Sequence, residues 1–173
     1  INTLLTFGDV DLLFAGMVEN WEEQKVGVPE GLPIIAFPTY SKHSNITAAH
    51  QWCDFINQFD PLQTPHVPKL NDTWTIIFTS GTTGNPKGVV LDYLANSKTE
   101  LLTLESNPMK IDFNGNNDFF SYLPLNHIAE RIVVEFASFR FGGTISFTEG
   151  LDVFAKNLSD VQPTVFFAVP RIW

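Results

Sequence analysis

The chain has 173 residues, 44% of them hydrophobic and 17% charged, so it is long and apolar enough to bury a core and is not a disordered tail. Its net charge is −9 and its 10 basic residues are scattered, which argues against a nucleic-acid partner, since such binders present a basic face to phosphate. No apolar run approaches the roughly 18 residues that a membrane-spanning helix needs.

In chain order, the opening Ile1-Asn2-Thr3-Leu4-Leu5-Thr6-Phe7 has no basic region and does not read as a signal peptide. It lacks an initiator Met, and the far end, Arg171-Ile172-Trp173, has no polar tail. Both ends read as cut from a longer protein. Val10 to Ala15 is a short apolar run closed by Gly16 and predicts a strand. Val18 to Val26, with Glu19, Glu22 and Glu23, predicts an exposed helix. Pro33 to Pro38 predicts a second strand. Asn45 reads as a helix start before Ile46 to Phe59, with Ile46, Ala49, Trp52, Cys53 and Ile56 on one face. Cys53 is the single cysteine, so no internal disulfide is possible. Between Trp52 and Phe55 it reads as a packed thiol without the electropositive setting of a catalytic one.

Asp60 to Asp72 contains Pro61, Pro65 and Pro68 and no periodicity. The organisation expected is therefore an α/β unit over 1–59, a linker over 60–73 and a second α/β unit over 74–173, incomplete at the chain ends. Trp74 to Phe78 and Val89 to Leu91 predict strands on either side of a Gly/Thr-rich loop. Leu94 to Leu104 predicts a helix, Phe119 to Leu123 a strand, and Pro124 to His127 a turn. Ile128 to Phe141 is apolar on most faces and predicts a buried helix ended by Gly142-Gly143. Thr144 to Phe147, Val153 to Val161 and Thr164 to Val169 predict a strand, a helix and a buried strand. This alternation argues an α/β fold, with layered sheets and flanking helices.

The loop is the chemically informative segment: Thr79-Ser80-Gly81-Thr82-Thr83-Gly84-Asn85-Pro86-Lys87-Gly88. A phosphate needs many donors and close backbone approach. Glycines at 81, 84 and 88 permit that approach and the positive φ that turns successive N–H groups inward. Ser80, Thr82 and Thr83 add hydroxyls, Lys87 adds a mobile positive charge, and Pro86 fixes the backbone before it. The order differs from the Walker loop, where the lysine follows a glycine and precedes Ser or Thr. Ser80 is not in a Gly-x-Ser-x-Gly elbow, which argues against a hydrolase nucleophile.

This run resembles the signature loop of the acyl-adenylate-forming (AMP-binding) superfamily. A second stretch, Tyr122-Leu123-Pro124-Leu125-Asn126-His127-Ile128-Ala129-Glu130-Arg131, is similar to the Leu-Pro-Leu-x-His-x-x-Glu-Arg segment of long-chain fatty acyl-CoA synthetases. A third, Thr164 to Trp173 with Val169-Pro170-Arg171, resembles the next strand of that family. The resemblance covers most of 74–173; residues 1–59 fit the preceding unit by pattern. Asn126 departs from the small residue common at its position, which weakens the subgroup assignment.

The resemblance implies ATP-dependent activation of a carboxylic acid, most simply a long-chain fatty acid, to acyl-AMP and then to acyl-CoA, with ATP, Mg²⁺ and CoA as reactants. Thr79, Ser80, Gly81, Thr82, Thr83, Gly84 and Lys87 would hold the triphosphate, and a hydroxyl of Thr79 or Ser80 would reach Mg²⁺. Lys87 and His127 would be the catalytic residues, with His127 where the carboxylate meets the nucleotide. The later family motifs for adenine, ribose and the catalytic lysine of the small domain are absent from these 173 residues. The resemblance therefore implies the front part of the large N-terminal domain, unable to turn over alone. It also implies a cytoplasmic enzyme, with peripheral membrane contact through its fatty substrate. Two rivals stay open: an acyl-AMP ligase for another acid or acceptor, and a phosphate-binding module without chemistry.

Around this centre, Glu130 reads as a residue favoured by the helix dipole. Arg131, on an otherwise apolar helix, reads as half of an internal ion pair in preference to a substrate contact. Phe136, Phe139 and Phe141 read equally as an acyl tunnel or as ordinary packing. His43, His50 and His66 have no metal-ligand spacing, and Asp9 and Asp11 read as solvated turn residues.

Overall fold

The computed structural model describes residues 1–16, 18, 20–38, 46–48, 50–80, 86–169 and 172. It divides into two compact units, Ile1–Val67 and Pro68–Trp173.

The first unit opens with α1 (Asn2–Phe7) and builds a three-stranded parallel sheet from β1 (Leu13–Ala15), β2 (Ile34–Ala36) and β3 (His50–Gln51). Side chains alternate across a strand, and the two faces pack differently. Leu13, Ala15, Ile34 and Ala36 join Trp21 and Ile46 in one core cluster. Phe14 and Phe37 lie on the other face, where Trp52 covers them at ring-centroid distances of 6.1 and 5.2 Å. The predicted helix Val18–Val26 is reduced to α2 (Trp21–Gln24) and a 3₁₀ turn, Lys25–Gly27. Its first residue, Trp21, is buried, so the segment is not wholly exposed; Glu19 lies outside the described residues.

The helix expected over 46–59 is corrected: only α3 (Trp52–Ile56) is helical, and His50 and Gln51 before it pair with β2. The gain of two sheet pairings outcompetes the helical pattern at its start. Asn45, His43 and Ala49 lie outside the described residues. Cys53 is exposed, not packed as expected. Trp52 and Phe55 carry the contact of α3 to the sheet, Phe55 against the His50 ring at 5.3 Å, and Cys53 between them turns outward. Asp9, at φ 47°, is an exposed turn residue.

The second unit begins with a long hairpin, β4 (Thr73–Ser80) antiparallel to β5 (Pro86–Asp92). The Asp92 side chain then caps α4 (Tyr93–Ser106), its Oδ1 accepting from Ala95 N at 2.9 Å. β6 (Asp118–Ser121) and β7 (Thr144–Phe147) pair in parallel. The chain crosses between them through a π-helical stretch, Glu130–Phe136, that runs directly into α5 (Ala137–Phe141). Strand β6 is buried on both faces, as a strand between helices must be. Phe119 packs with Val134, Ala137, Phe141 and Val165, while Phe120 meets Phe154 of α6 (Phe154–Val161) and Phe166.

The buried strand expected over Thr164–Val169 is corrected to a single bridge between Val165 and Phe119. Val165 enters the core beside Phe119, and the pairing goes no further; Pro170 and Arg171 lie outside the described residues. The helix over 128–141 is not buried all round either. Val134, Ala137 and Phe141 face the sheet, whereas Phe139 is 81% exposed. Phe139 and Phe141 therefore lie on different surfaces: Phe141 packs in the core and against the Phe113 ring at 5.1 Å, and Phe136 is half-buried.

Asn117 and Gly143 hold the crossing. Asn117 accepts from Asp112 N at 2.8 Å and donates to the carbonyls of Asp112 and Gly142, at 2.8 and 3.0 Å. Gly143, at φ +145°, lies so close to Asn117 that a Cβ there would meet Asn117 Cβ at 2.9 Å. Only glycine fits both the space and the backbone angle.

Candidate nucleotide-phosphate site

The Thr79–Gly88 run forms the end of the β4–β5 hairpin. Thr79 pairs with Lys87, and Ser80 with Pro86, as the last two rungs of the ladder. Gly81, Thr82, Thr83, Gly84 and Asn85 lie outside the described residues, as does the side chain of Ser80. Strand propensity explains the legs: Thr75-Ile76-Ile77-Phe78 faces Val89-Val90-Leu91. Pro86 begins β5, where its missing N–H does least harm.

Thr79 and Lys87 are both exposed. The Thr79 hydroxyl donates to the Lys87 carbonyl at a long 3.5 Å, a bond that uses its proton and not its lone pairs. An exposed hydroxyl opposite an exposed ammonium suits a phosphate oxygen and a hard cation together. Among the described residues no group of three His, Cys, Asp or Glu could hold a metal ion. A Mg²⁺ at this rung would rest on Thr79 and on the phosphate oxygens themselves, as this ion commonly does.

Gly88 has a different reason for being glycine than the one its motif suggested. It lies within β5 opposite Phe78 and is not at positive φ. A Cβ there would meet Ile76 Cγ2 at 3.1 Å and the Phe78 ring at 3.3 Å. Its hydrogen lets the Phe78 and Ile76 side chains lie over the strand.

His127 is exposed and closes the turn before the helix. Its N–H donates to Pro124 O at 2.9 Å, and its carbonyl accepts from Glu130 N at 3.0 Å and Arg131 N at 3.3 Å. The main chain of His127 thus starts the helix while its imidazole stays at the surface.

Glu130 is only 3% exposed. Burial raises its carboxyl above the ordinary range of 4.5; hydrogen bonds from Ser121 and the Leu123 backbone and the His127 charge oppose this in part. Its Oε1 has no partner among the described residues. Glu130 therefore ties the helix start to the end of β6, a role beyond the dipole effect expected of it. The partner that Arg131 required is Glu135, with Arg131 Nε 3.0 Å from Glu135 Oε2. The guanidinium also stands over the Trp74 ring, 4.8 Å from its centroid. The sequence pointed to neither Trp74 nor Glu135; a strand-opening aromatic and a glutamate at i+4 from Arg131 were the available signals.

By fold, the chain is an α/β unit of the kind found in luciferase-like enzymes. It superposes on a red-emitting luciferase from Phrixothrix hirtus with a TM-score of 0.65 at 19% identity, over 93% of this chain and 32% of that one. It is also similar to the N-terminal domain of FACL13 from Mycobacterium tuberculosis, with a TM-score of 0.50 at 14% identity, over 92% of this chain and 50% of that one. The model of the AMP-binding enzyme family matches residues 7–173, and the chain belongs to that family. Long chain acyl-CoA synthetase 5 of Arabidopsis thaliana is 33% identical over 131 residues, covering 71% of this chain and 19% of that protein. The long-chain-fatty-acid–CoA ligase ACSBG2 of Mus musculus is 34% identical over 135 residues, covering 72% of this chain and 20% of that protein. The chain spans about a fifth of the length of these relatives.

Proposed function

We propose that this chain supplies the phosphate-holding part of an AMP-forming acid–thiol ligase that activates a long-chain fatty acid. A carboxylate oxygen attacks the α-phosphorus of ATP, the bond to the bridging oxygen breaks, and pyrophosphate leaves. The CoA thiolate then attacks the acyl carbonyl and AMP leaves. In this reading the Thr79–Lys87 rung, with Ser80, Gly81, Thr82, Thr83 and Gly84, grips the β- and γ-phosphates, and Lys87 neutralises charge that grows on the departing pyrophosphate. A hydroxyl of Thr79 or Ser80 would help hold Mg²⁺, which would supply further charge neutralisation at the phosphates. His127 stands at the turn where the acid meets the nucleotide. The reaction belongs in the cytoplasm, where ATP and CoA are available, with peripheral membrane contact through the fatty substrate.

The observation that carries the reading is the exposed Thr79–Lys87 rung at the hairpin end, in a chain matched by the AMP-binding model from residue 7 onward. The fatty-acid preference draws its support from the names of the relatives that resemble it. Lys87→Ala in the full-length enzyme is expected to lower kcat for ATP–pyrophosphate exchange on the order of 10²- to 10³-fold. Unchanged exchange would refute a role for the loop in the chemistry. A panel of acids of different length, scored by pyrophosphate release, tests the acyl class.

A further inference from the structure

Two backbone irregularities meet at one contact. In the hairpin, Thr73 pairs with Asp92 and Thr75 with Leu91, so Trp74 is an extra residue in β4. A bulge of this kind bends the strand and re-aims its side chain. On the helix, Glu130–Phe136 winds as a π-helix, a rare form that is frequent at functional sites. The bulged residue and the π-helical stretch touch: Arg131 Cζ is 4.8 Å from the Trp74 ring centroid. Arg131 Nε is 3.0 Å from Glu135 Oε2, an ion pair whose two atoms are fully buried and not aligned as a hydrogen bond. The arginine side chain is 19% exposed.

We propose that Trp74, Arg131 and Glu135 form a positioning clasp that holds the His127 turn in fixed relation to the hairpin carrying Thr79 and Lys87. The proposal rests on the acid-activating reading above. Arg131 is one helical turn beyond His127 and donates its N–H to the His127 carbonyl at 3.3 Å. Trp74 lies five residues before Thr79 on the same strand, roughly 16 Å along it. A guanidinium set over an indole and ion-paired to a buried carboxylate oxygen has little freedom to move off the ring. The clasp therefore sets the separation between the group that grips phosphate and the group at the acid. Its atoms are not reactants, so Arg131 is a positioning residue.

The test uses the full-length enzyme and measures kcat and KM for ATP in ATP–pyrophosphate exchange, with thermal midpoints beside them. Arg131→Met and Trp74→Leu are each expected to lower kcat on the order of 10- to 100-fold, because small misplacements of reacting groups cost that much. KM for ATP is expected to stay within about twofold, since the phosphate grip itself is intact. The double variant is expected to be no worse than either single one, as for two parts of one device. Trp74→Phe, which keeps a face for the guanidinium, is expected to recover most of the loss. A purely structural role would lower the midpoint and leave kcat per folded site unchanged. Near-normal kcat in both single variants, or losses that multiply in the double, overturns the clasp. Should Arg131→Met fail to fold, equal kcat for Trp74→Phe and Trp74→Leu overturns it. Lys87→Ala separates the two readings: full activity there refutes the acid-activating role of the loop, whereas an inactive Lys87→Ala beside an active Arg131→Met refutes the clasp alone.

Discussion

Glu130 is the residue whose environment departs furthest from what its position suggests. At a helix start a glutamate ordinarily sits in water and benefits from the dipole. Here it is buried against Ser121 and the Leu123 backbone, and burial raises its carboxyl above 4.5. The folded chain then holds a proton that the unfolded chain releases at lower pH. This contribution to stability is complete below the unfolded value and is lost as pH rises through the folded one. Glu130→Gln keeps an acceptor for Ser121 and Leu123 and has no charge to bury. The variant is expected to match the native chain near pH 4 and to be the more stable of the two at pH 8, read as a higher urea midpoint there. A variant advantage that is the same at both pH values would contradict the burial argument.

At the scale of elements, β6 and the helix that follows it govern the second unit. Phe119 is 0% exposed, with β7 beside it on one edge, Val165 on the other, and Val134, Ala137 and Phe141 against its ring. Phe119→Ala is expected to cost about 3–5 kcal/mol in denaturant unfolding. Phe139→Ser, on the exposed side of the same helix, is expected to fall within about 0.5 kcal/mol of the native chain. A large loss at Phe139 would mean that this face packs against something. The pair of outcomes distinguishes the two faces of a helix whose sequence is apolar nearly all round. Apolar periodicity could not do so, because the π-helical stretch breaks the 3.6-residue phase on which such readings depend.

At the scale of the molecule, two compact units meet at Val67 and Pro68, within a proline-bearing segment with no strand or helix. The chain spans about a fifth of its relatives' length. The isolated 173-residue chain is accordingly expected to show no ATP–pyrophosphate exchange above background in a labelled-pyrophosphate assay. Measurable exchange would mean that the adenine and metal contacts are supplied within these residues.

The sequence by itself determined the α/β class, the hairpin legs around the Gly/Thr loop, α4, β6, β7 and α6. Each of these rests on local information: alternating or continuous apolar runs bounded by Gly, Pro and Asp. It also determined the family, because an ordered run such as Thr79 to Gly88 carries its meaning without its surroundings. Only the tertiary structure decided that His50 and Gln51 join a sheet, that Cys53 faces water, and that Thr164 to Val169 makes one bridge and no strand. Those outcomes depend on which distant backbone is free to pair or cover. It alone revealed why Gly88 is glycine and where Arg131 finds its partners. Trp74 lies 57 positions away from Arg131 in the chain, and the bulge and the π-helical stretch that bring them together leave no periodic trace in sequence, since each is a departure from periodicity.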